Sequence, residues 1–283
     1  MDAARPTLRI TTLNLLHDGI RNLEPAWARR RPAALAMLRQ LAPDVLCLQE
    51  VSPRQLDDLR ADLPEFEIVP GVPTGGIRLA HWLVPLRPLA QAWWGDYFAV
   101  GERCPILLRK DVVTPIEAGS FALDEHVSRI SMVATPHRVT WVRARVAGTA
   151  SEIVVHNTHL GLVPWRKMKT ARRLVAFLDQ SWNGTAQFIA GDFNAKPDSS
   201  VLRHLRSARD GRPGFQDLWL AADQRVGRGA TYDTLPWLFG RPRIDFVLAR
   251  PALRTVRAEV TDQVPGRIAP SDHRPVTAEV VLA

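Results

Sequence analysis

Four short apolar runs in this chain each end on an acid, an amide or an imidazole, and that repeated pattern constrains the fold more than any other feature. Asp44-Val45-Leu46-Cys47-Leu48-Gln49-Glu50 is almost continuously apolar until it stops at Glu50, as in a strand buried on both faces. Leu8-Arg9-Ile10-Thr11-Thr12-Leu13 alternates like a strand and delivers Asn14. Glu152-Ile153-Val154-Val155 leads into His156-Asn157-Thr158-His159, and Gln187-Phe188-Ile189-Ala190 leads into Gly191-Asp192-Phe193-Asn194. A carboxylate at the end of a core strand is costly to bury without a partner, so Glu50 is expected to face a metal, a cation or a solvent-filled cleft. Side chains at i and i+2 of a strand share a face, which would let Asn157 act with His159 and Asp192 with Asn194. The conformational alternative for Asp192 and Asn194 is an Asx-rich turn closing the strand. The three companion clusters weigh against it.

The C-terminal third adds Arg243-Ile244-Asp245-Phe246-Val247-Leu248 and then Ser271-Asp272-His273-Arg274, a loop before the last apolar run, Thr277 to Leu282. An adjacent acid and imidazole there are either a surface pair in a turn or a pair in use, and the second reading is preferred. Between the runs, helical periodicity is visible from Arg29 to Leu41 and from Met168 to Leu178, with a short helix expected from Ser199 to Leu205. Residues from about 79 to 155 read as successive strands.

Composition excludes several classes. The chain holds 283 residues, 46% of them hydrophobic, ample for a core. Its two cysteines, Cys47 and Cys104, give no disulfide framework and no Cys₄ or Cys₂His₂ zinc arrangement. The N-terminus lacks the apolar core of a signal peptide and no run is long enough to span a bilayer, so a cytoplasmic protein is expected. A formal charge of +8 favours anionic partners by long-range attraction: nucleic acid, a phosphorylated metabolite or a lipid headgroup. Arg29-Arg30-Arg31 and the cluster Arg166, Lys167, Lys169, Arg172, Arg173 read first as solvated faces. Trp93, Trp94, Tyr97, Phe98, Trp165 and Trp237 either stack on bases or apolar substrate groups or belong to the core.

The ordered set Asn14, Gln49-Glu50, Asn157-Thr158-His159, Gly191-Asp192-Phe193-Asn194, Arg243-Ile244-Asp245 and Ser271-Asp272-His273 resembles the endonuclease/exonuclease/phosphatase superfamily of divalent-metal phosphoesterases. The matches run from residue 14 to residue 273. The resemblance implies a four-layer α/β sandwich, two facing mixed β-sheets flanked by helices, formed by one domain over residues 1–283, because Asn14 and Asp272 must meet. The stretches Cys104 to Arg109 and Pro136 to Trp141 also resemble family strands; Arg109 and Arg138 on them are either surface charges or, for Arg138, a substrate contact.

The resemblance also implies roles. Glu50 would be the principal ligand of Mg²⁺ or Mn²⁺, with Asn14 and Asp272 around the same centre. Hard oxygen donors of this kind suit those ions. Asp192 would orient and deprotonate the attacking water and Asn194 would hydrogen-bond the phosphoryl group. His273, its ring fixed by Asp245, would contact the phosphate or handle the proton, and His159 would act as hydrogen-bond donor or leaving-group acid. The loop from Leu162 to Lys167 replaces the acidic or Ser-Glu-Ala helix start of many bacterial relatives, and sets Trp165, Arg166 and Lys167 at the expected substrate entrance. The His159 form of its motif looks more like the branch of deadenylases, sphingomyelinases, inositol-phosphate phosphatases and tyrosyl-DNA phosphodiesterases than like apurinic-site endonucleases. The expected activity is hydrolysis of a small or lipid-like phosphodiester or phosphomonoester by an activated water. The alternatives are a DNA or RNA nuclease and a non-hydrolytic binding protein or repurposed enzyme on the same fold.

Overall fold

The computed structural model describes residues 6–18, 26–76, 78–79, 85, 88–89, 99–124, 133–134, 136–233, 240–261 and 268–282. All four apolar runs are strands. One sheet has seven, in the order β12 (Gln224–Val226), β14 (Thr255–Val260), β15 (Val276–Val281), β1 (Thr7–Asn14), β2 (Val45–Gln49), β5 (Ile106–Arg109), β3 (Phe66–Val69). The other has six, in the order β11 (Gln216–Asp217), β13 (Asp245–Arg250), β10 (Ala186–Asp192), β9 (Glu152–His159), β8 (His137–Val146), β6 (Val113–Asp124). A separate ribbon pairs β4 (Arg78–Leu79) with β7 (Val133–Ala134).

The sheets face each other. Ile10, Val45, Cys47 and Ile106 of the first meet Val142, Val155, Phe188, Ala190 and Val247 of the second in one buried cluster. Alternate residues of the same strands, Leu46, Leu48 and Leu107, point outward against Leu38, Leu56 and Leu59 of α1 (Trp27–Leu41) and α2 (Pro53–Asp62). The second sheet is covered likewise: Ile189, Phe246 and Leu248 pack on Leu174 and Leu178 of α3 (Pro164–Gln180) and Leu202 and Leu205 of α4 (Ser200–Arg206). A short α5 (Leu218–Ala221) follows β11. Strands buried on both faces cannot alternate polar with apolar, and that is the physical origin of the continuous run ending at Glu50.

Asn157 ties the two sheets together. From β9 its Nδ2 donates to the carbonyls of Leu48 at 2.7 Å and Pro105 at 2.8 Å, and its Oδ1 accepts from Gln49 Nε2 at 2.6 Å. Each such bond contributes about 1 kcal/mol net, and all three are buried.

The basic run at 29–31 departs from the solvated reading. α1 starts at Trp27, two residues earlier than the periodicity suggested, and Arg30 is 1% exposed. Its guanidinium donates to the carbonyls of Leu15, Leu16 and Pro270, each at 2.8 Å, so it joins the loop after β1 to the loop before β15. Arg31 is bound by Asp58 and Asp62. α2 was not anticipated, although its signals are present: Ser52 and Gln55 form a reciprocal capping box with Pro53 at the first helical position. Trp93, Trp94, Tyr97, Phe98 and Trp237 lie outside the described residues.

Strand direction then gathers the polar ends. β1 runs parallel to β2, and β10 parallel to β9. β13 runs antiparallel to β10 and β15 antiparallel to β1, so the start of β13 and the loop before β15 lie at the same edge as the ends of the other four.

Candidate active site

On the six-stranded sheet the register sets three acid-base side chains abreast. Asp192 pairs with His159 of β9 on one side and with Asp245 of β13 on the other. Gly191 is required just before this row: its φ is +146°, and a Cβ there would sit 1.9 Å from the carbonyl oxygen of Thr158. Asn194 joins the row by a different route from simple strand alternation. β10 ends at Asp192, and the Asn194 amide N–H donates to Asp192 Oδ1 at 2.8 Å in an Asx-type turn with Asn194 at φ +48°. The turn and the convergent pair, weighed as alternatives from sequence, coexist. Asn194 Nδ2 then reaches the Leu160 carbonyl at 2.8 Å and lies 3.0 Å from His159 Nε2.

The seven-stranded sheet faces this row with Asn14 and Glu50. Asn14 Nδ2 bridges the sheets, donating to Glu50 Oε1 at 2.9 Å and to Asp192 Oδ2 at 3.2 Å. Glu50 Oε2 accepts the His17 amide at 3.2 Å. Glu50 sits at φ +57°, as does Leu16 at +60°; non-glycine residues in this region cost energy and persist where surrounding structure enforces them. The loop before β15 is docked by Ser271, whose Oγ donates to the Asn14 carbonyl at 2.6 Å and lies 3.3 Å from Asp272 Oδ1. His273 Nδ1 meets Asp245 Oδ2 at 2.9 Å, and its Nε2 is 3.8 Å from Asp192 Oδ2.

The structure adds a residue that the sequence reading lacked. Glu102 is 3% exposed and its Oε1 is 2.7 Å from His159 Nδ1. It is brought there by reciprocal backbone bonds between Val51 and Arg103, the residues that directly follow Glu50 and Glu102, and by its own backbone bonds to Thr74. The cleft thus holds two imidazoles, each fixed at Nδ1 by a buried carboxylate, with both Nε2 atoms directed toward Asp192 Oδ2, at 3.5 Å for His159 and 3.8 Å for His273.

Electrostatics follow from that crowding. Burial pulls the His159 pKa down, but the Glu102 carboxylate, with Asp192 and Glu50 behind it, outweighs burial and holds it at about 10. With Nδ1–H committed to Glu102, the titrating proton sits on Nε2, the atom facing the cleft. That proton and the Asn194 Nδ2 contact exclude one another, because both groups are then donors. His273 is likewise raised well above the ordinary value: burial opposes it and Asp245 and Asp192 prevail. Burial pushes Asp245 up to about 6. Burial also raises Glu50, helped by Glu102 and Asp272 and opposed by His159.

Of the remaining expected residues, Arg138 is half-buried on β8, one position before Val139, which pairs Thr158, so it stands across from His159. Arg166 and Lys167 are both in the first turn of α3. Arg166 Nη2 is bonded to Asp124 Oδ2 at 3.0 Å, and Lys167 Nζ donates to the Asn194 carbonyl. Burial lowers the Lys167 pKa. The Trp165 side chain lies outside the described residues.

A divalent cation fits the donor set. Glu50, Glu102 and His159 offer ligand atoms within 4.8 Å of one another, as do Asp192, Asp245 and His273. Glu102 Oε2 and Asp245 Oδ1 are buried oxygens without a hydrogen-bond partner, an excess of anionic capacity that a hard cation would offset. The thiols of Cys47 and Cys104 are buried and raised in pKa by burial, which keeps them protonated.

Among solved structures the chain is similar in fold to an endonuclease/exonuclease/phosphatase from Bacteroides vulgatus, with a TM-score of 0.78 and 21% identity over 99% of this chain and 100% of that one. A mannosyl-6-phosphatase of Bacteroides thetaiotaomicron gives a TM-score of 0.79 and 20% identity, covering 97% and 100%. The human Nocturnin catalytic domain gives 0.71 and 18%, covering 97% and 93%. No curated protein matches the sequence significantly. Among the described residues no helix is long and apolar enough to cross a membrane. The sequence profile of the Endonuclease/Exonuclease/phosphatase family matches residues 11–273, and the chain belongs to that family.

Proposed function

We propose that this chain is a divalent-metal-dependent phosphoester hydrolase that acts, as one domain, on a small or lipid-like substrate by in-line attack of an activated water. The observation that carries the reading is the placement of Asp192 between two carboxylate-fixed imidazoles, Glu102–His159 and Asp245–His273, with Glu50 opposite. Glu50, with Asn14 and Asp272 beside it, would hold Mg²⁺ or Mn²⁺, which supplies neutralisation of charge on the phosphoryl oxygens. Asp192 accepts the proton of the attacking water. Asn194 offers an amide N–H to a phosphoryl oxygen, replacing its contact with His159. His273, held as imidazolium by Asp245, donates from Nε2 to a second oxygen. His159 delivers the Nε2 proton to the leaving oxygen. Arg138, Arg166 and Lys167 flank the substrate side, with Arg166 acting through its ion pair with Asp124, and Trp165 is kept as a substrate contact on the sequence alone.

The mannosyl-6-phosphatase neighbour supports a small substrate. A nuclease reading draws on the net charge of +8 and on the exposed Lys169, Arg172 and Arg173 of α3. A hydrolysis panel in Mg²⁺ and Mn²⁺ separates the two: plasmid, single-stranded oligonucleotides, bis-nitrophenyl phosphate, inositol phosphates and sphingomyelin. We expect turnover of small or lipid-like esters that chelator abolishes. Efficient, salt-sensitive cleavage of DNA or RNA with small esters untouched would replace this reading by the nuclease one, and a panel inert throughout would favour a binding protein.

A further inference from the structure

One cation beside the cleft forms no ion pair among the described residues. α3 opens with Arg166 and Lys167, and Arg166 is answered by Asp124 at 3.0 Å. Lys167 Nζ donates to the Asn194 backbone carbonyl instead. Among the described residues no carboxylate oxygen lies within ion-pair distance of it. A carbonyl occupies one of the three ammonium donors and cancels none of the charge. Lys167 is half-buried beside a small cavity lined by His137, Gly161, Leu162 and Thr170. Through Asn194 it stands next to the amide that contacts His159 Nε2. Two donors and the charge, which interacts with Asp192 at longer range than an ion pair, are therefore presented on the side of the cleft where a phosphoryl group would meet Asn194.

We propose that Lys167 reads the second negative charge of a terminal phosphate, making the substrate class a phosphomonoester dianion in preference to a diester monoanion. This rests on the hydrolase reading above. A monoester, with its second ionisation near pH 6, carries about two charges at neutral pH and three non-bridging oxygens; a diester carries one charge and two such oxygens. The third oxygen takes the free donors of Lys167. In a diester that position holds an alkoxy group, which accepts weakly and carries no charge.

A second role for the same side chain makes a different forecast. If Lys167 only holds the Asn194 turn at φ +48°, its loss harms both ester classes alike. The test compares p-nitrophenyl phosphate with methyl p-nitrophenyl phosphate, which share a leaving group, in the wild type, Lys167→Met and Lys167→Arg with Mg²⁺. In Lys167→Met we expect kcat/KM on the monoester to fall at least about tenfold further than on the diester, the scale of one charge-assisted hydrogen bond, with the preference kept in Lys167→Arg. A second readout needs no turnover: inorganic phosphate should raise the wild-type melting temperature more than dimethyl phosphate does, and Lys167→Met should abolish that difference. Equal losses on both esters, or a phosphate preference unchanged in Lys167→Met, overturn the inference. A wild type inert on these esters and on the whole panel above, yet showing the Lys167-dependent phosphate preference, overturns the hydrolase reading and leaves the phosphate recognition standing.

Discussion

Glu102→Gln is the most informative single substitution, because it keeps the shape of the side chain and removes the charge that sets His159. The pair is buried, 2.7 Å apart, with His159 and Glu102 side chains 12% and 3% exposed. His159 stands at about 10, against an ordinary value near 6.5. Without the Glu102 charge, burial pulls the pKa down against Asp192 and Glu50 alone, and we expect a fall of about two pH units, equivalent to about 3 kcal/mol. The folded value lies above the unfolded one, so the stabilisation is fully present below about pH 6.5 and is lost as pH rises through about 10. The assay is an imidazole ¹H–¹⁵N titration of the chelated protein, comparing wild type with Glu102→Gln. Catalysis gives a second, independent reading. If His159 protonates the leaving oxygen, Glu102→Gln should cost about a hundredfold in kcat on an alkyl phosphate and much less on a p-nitrophenyl ester, whose leaving group needs no acid. An unchanged His159 titration, or equal losses on both esters, refutes the reasoning.

Glu50→Gln should weaken Mn²⁺ binding, measured by calorimetry, and lower the rate substantially; full activity of the variant in chelator contradicts the metal assignment. Asp192→Asn and His273→Ala should each cut turnover by at least about a hundredfold without altering the far-ultraviolet spectrum, and Asp245→Asn should lose less because it acts through His273. Gly191→Ala places a Cβ against the Thr158 carbonyl at a φ that L-residues rarely adopt, and chemical denaturation should show a loss of about 3 kcal/mol or more; a loss under about 1 kcal/mol means the strands separate more easily than the close contact implies.

The sheets and most of the site were legible because burial on both faces writes itself into the sequence as unbroken apolar runs, and each run ends where its polar residue enters the cleft. Glu50, Asn14, His159 and Asp192 stand out on that signal, and the fold sets them around one cleft. Glu102 does not, because no run precedes it: it follows Gly101 and is placed by the bridge between Val51 and Arg103 and by its own backbone bonds to Thr74, long-range pairings that no local pattern encodes. Arg30 was misread for a related reason. Charge runs are usually solvated, and nothing near Arg30 in sequence reveals three carbonyls from residues 15, 16 and 270. The pairing of Asp192 with Asn194 was expected from strand alternation, but a left-handed Asn194 delivers it. Basic residues 166 and 167 looked equivalent in sequence; only the fold ties one to Asp124 and leaves the other on a carbonyl.

The central claim is that a water activated at Asp192 attacks phosphorus directly. A single turnover in ¹⁸O-labelled water, with phosphate and protein both examined by mass spectrometry, tests it most directly. We expect the label in the released phosphate and none in the Asp192 carboxylate or the departing alcohol. Label in the alcohol would show cleavage of the carbon–oxygen bond, and the mass of one phosphoryl group on Asp192 in protein acid-quenched during the turnover would show a covalent aspartyl-phosphate; either result contradicts the mechanism.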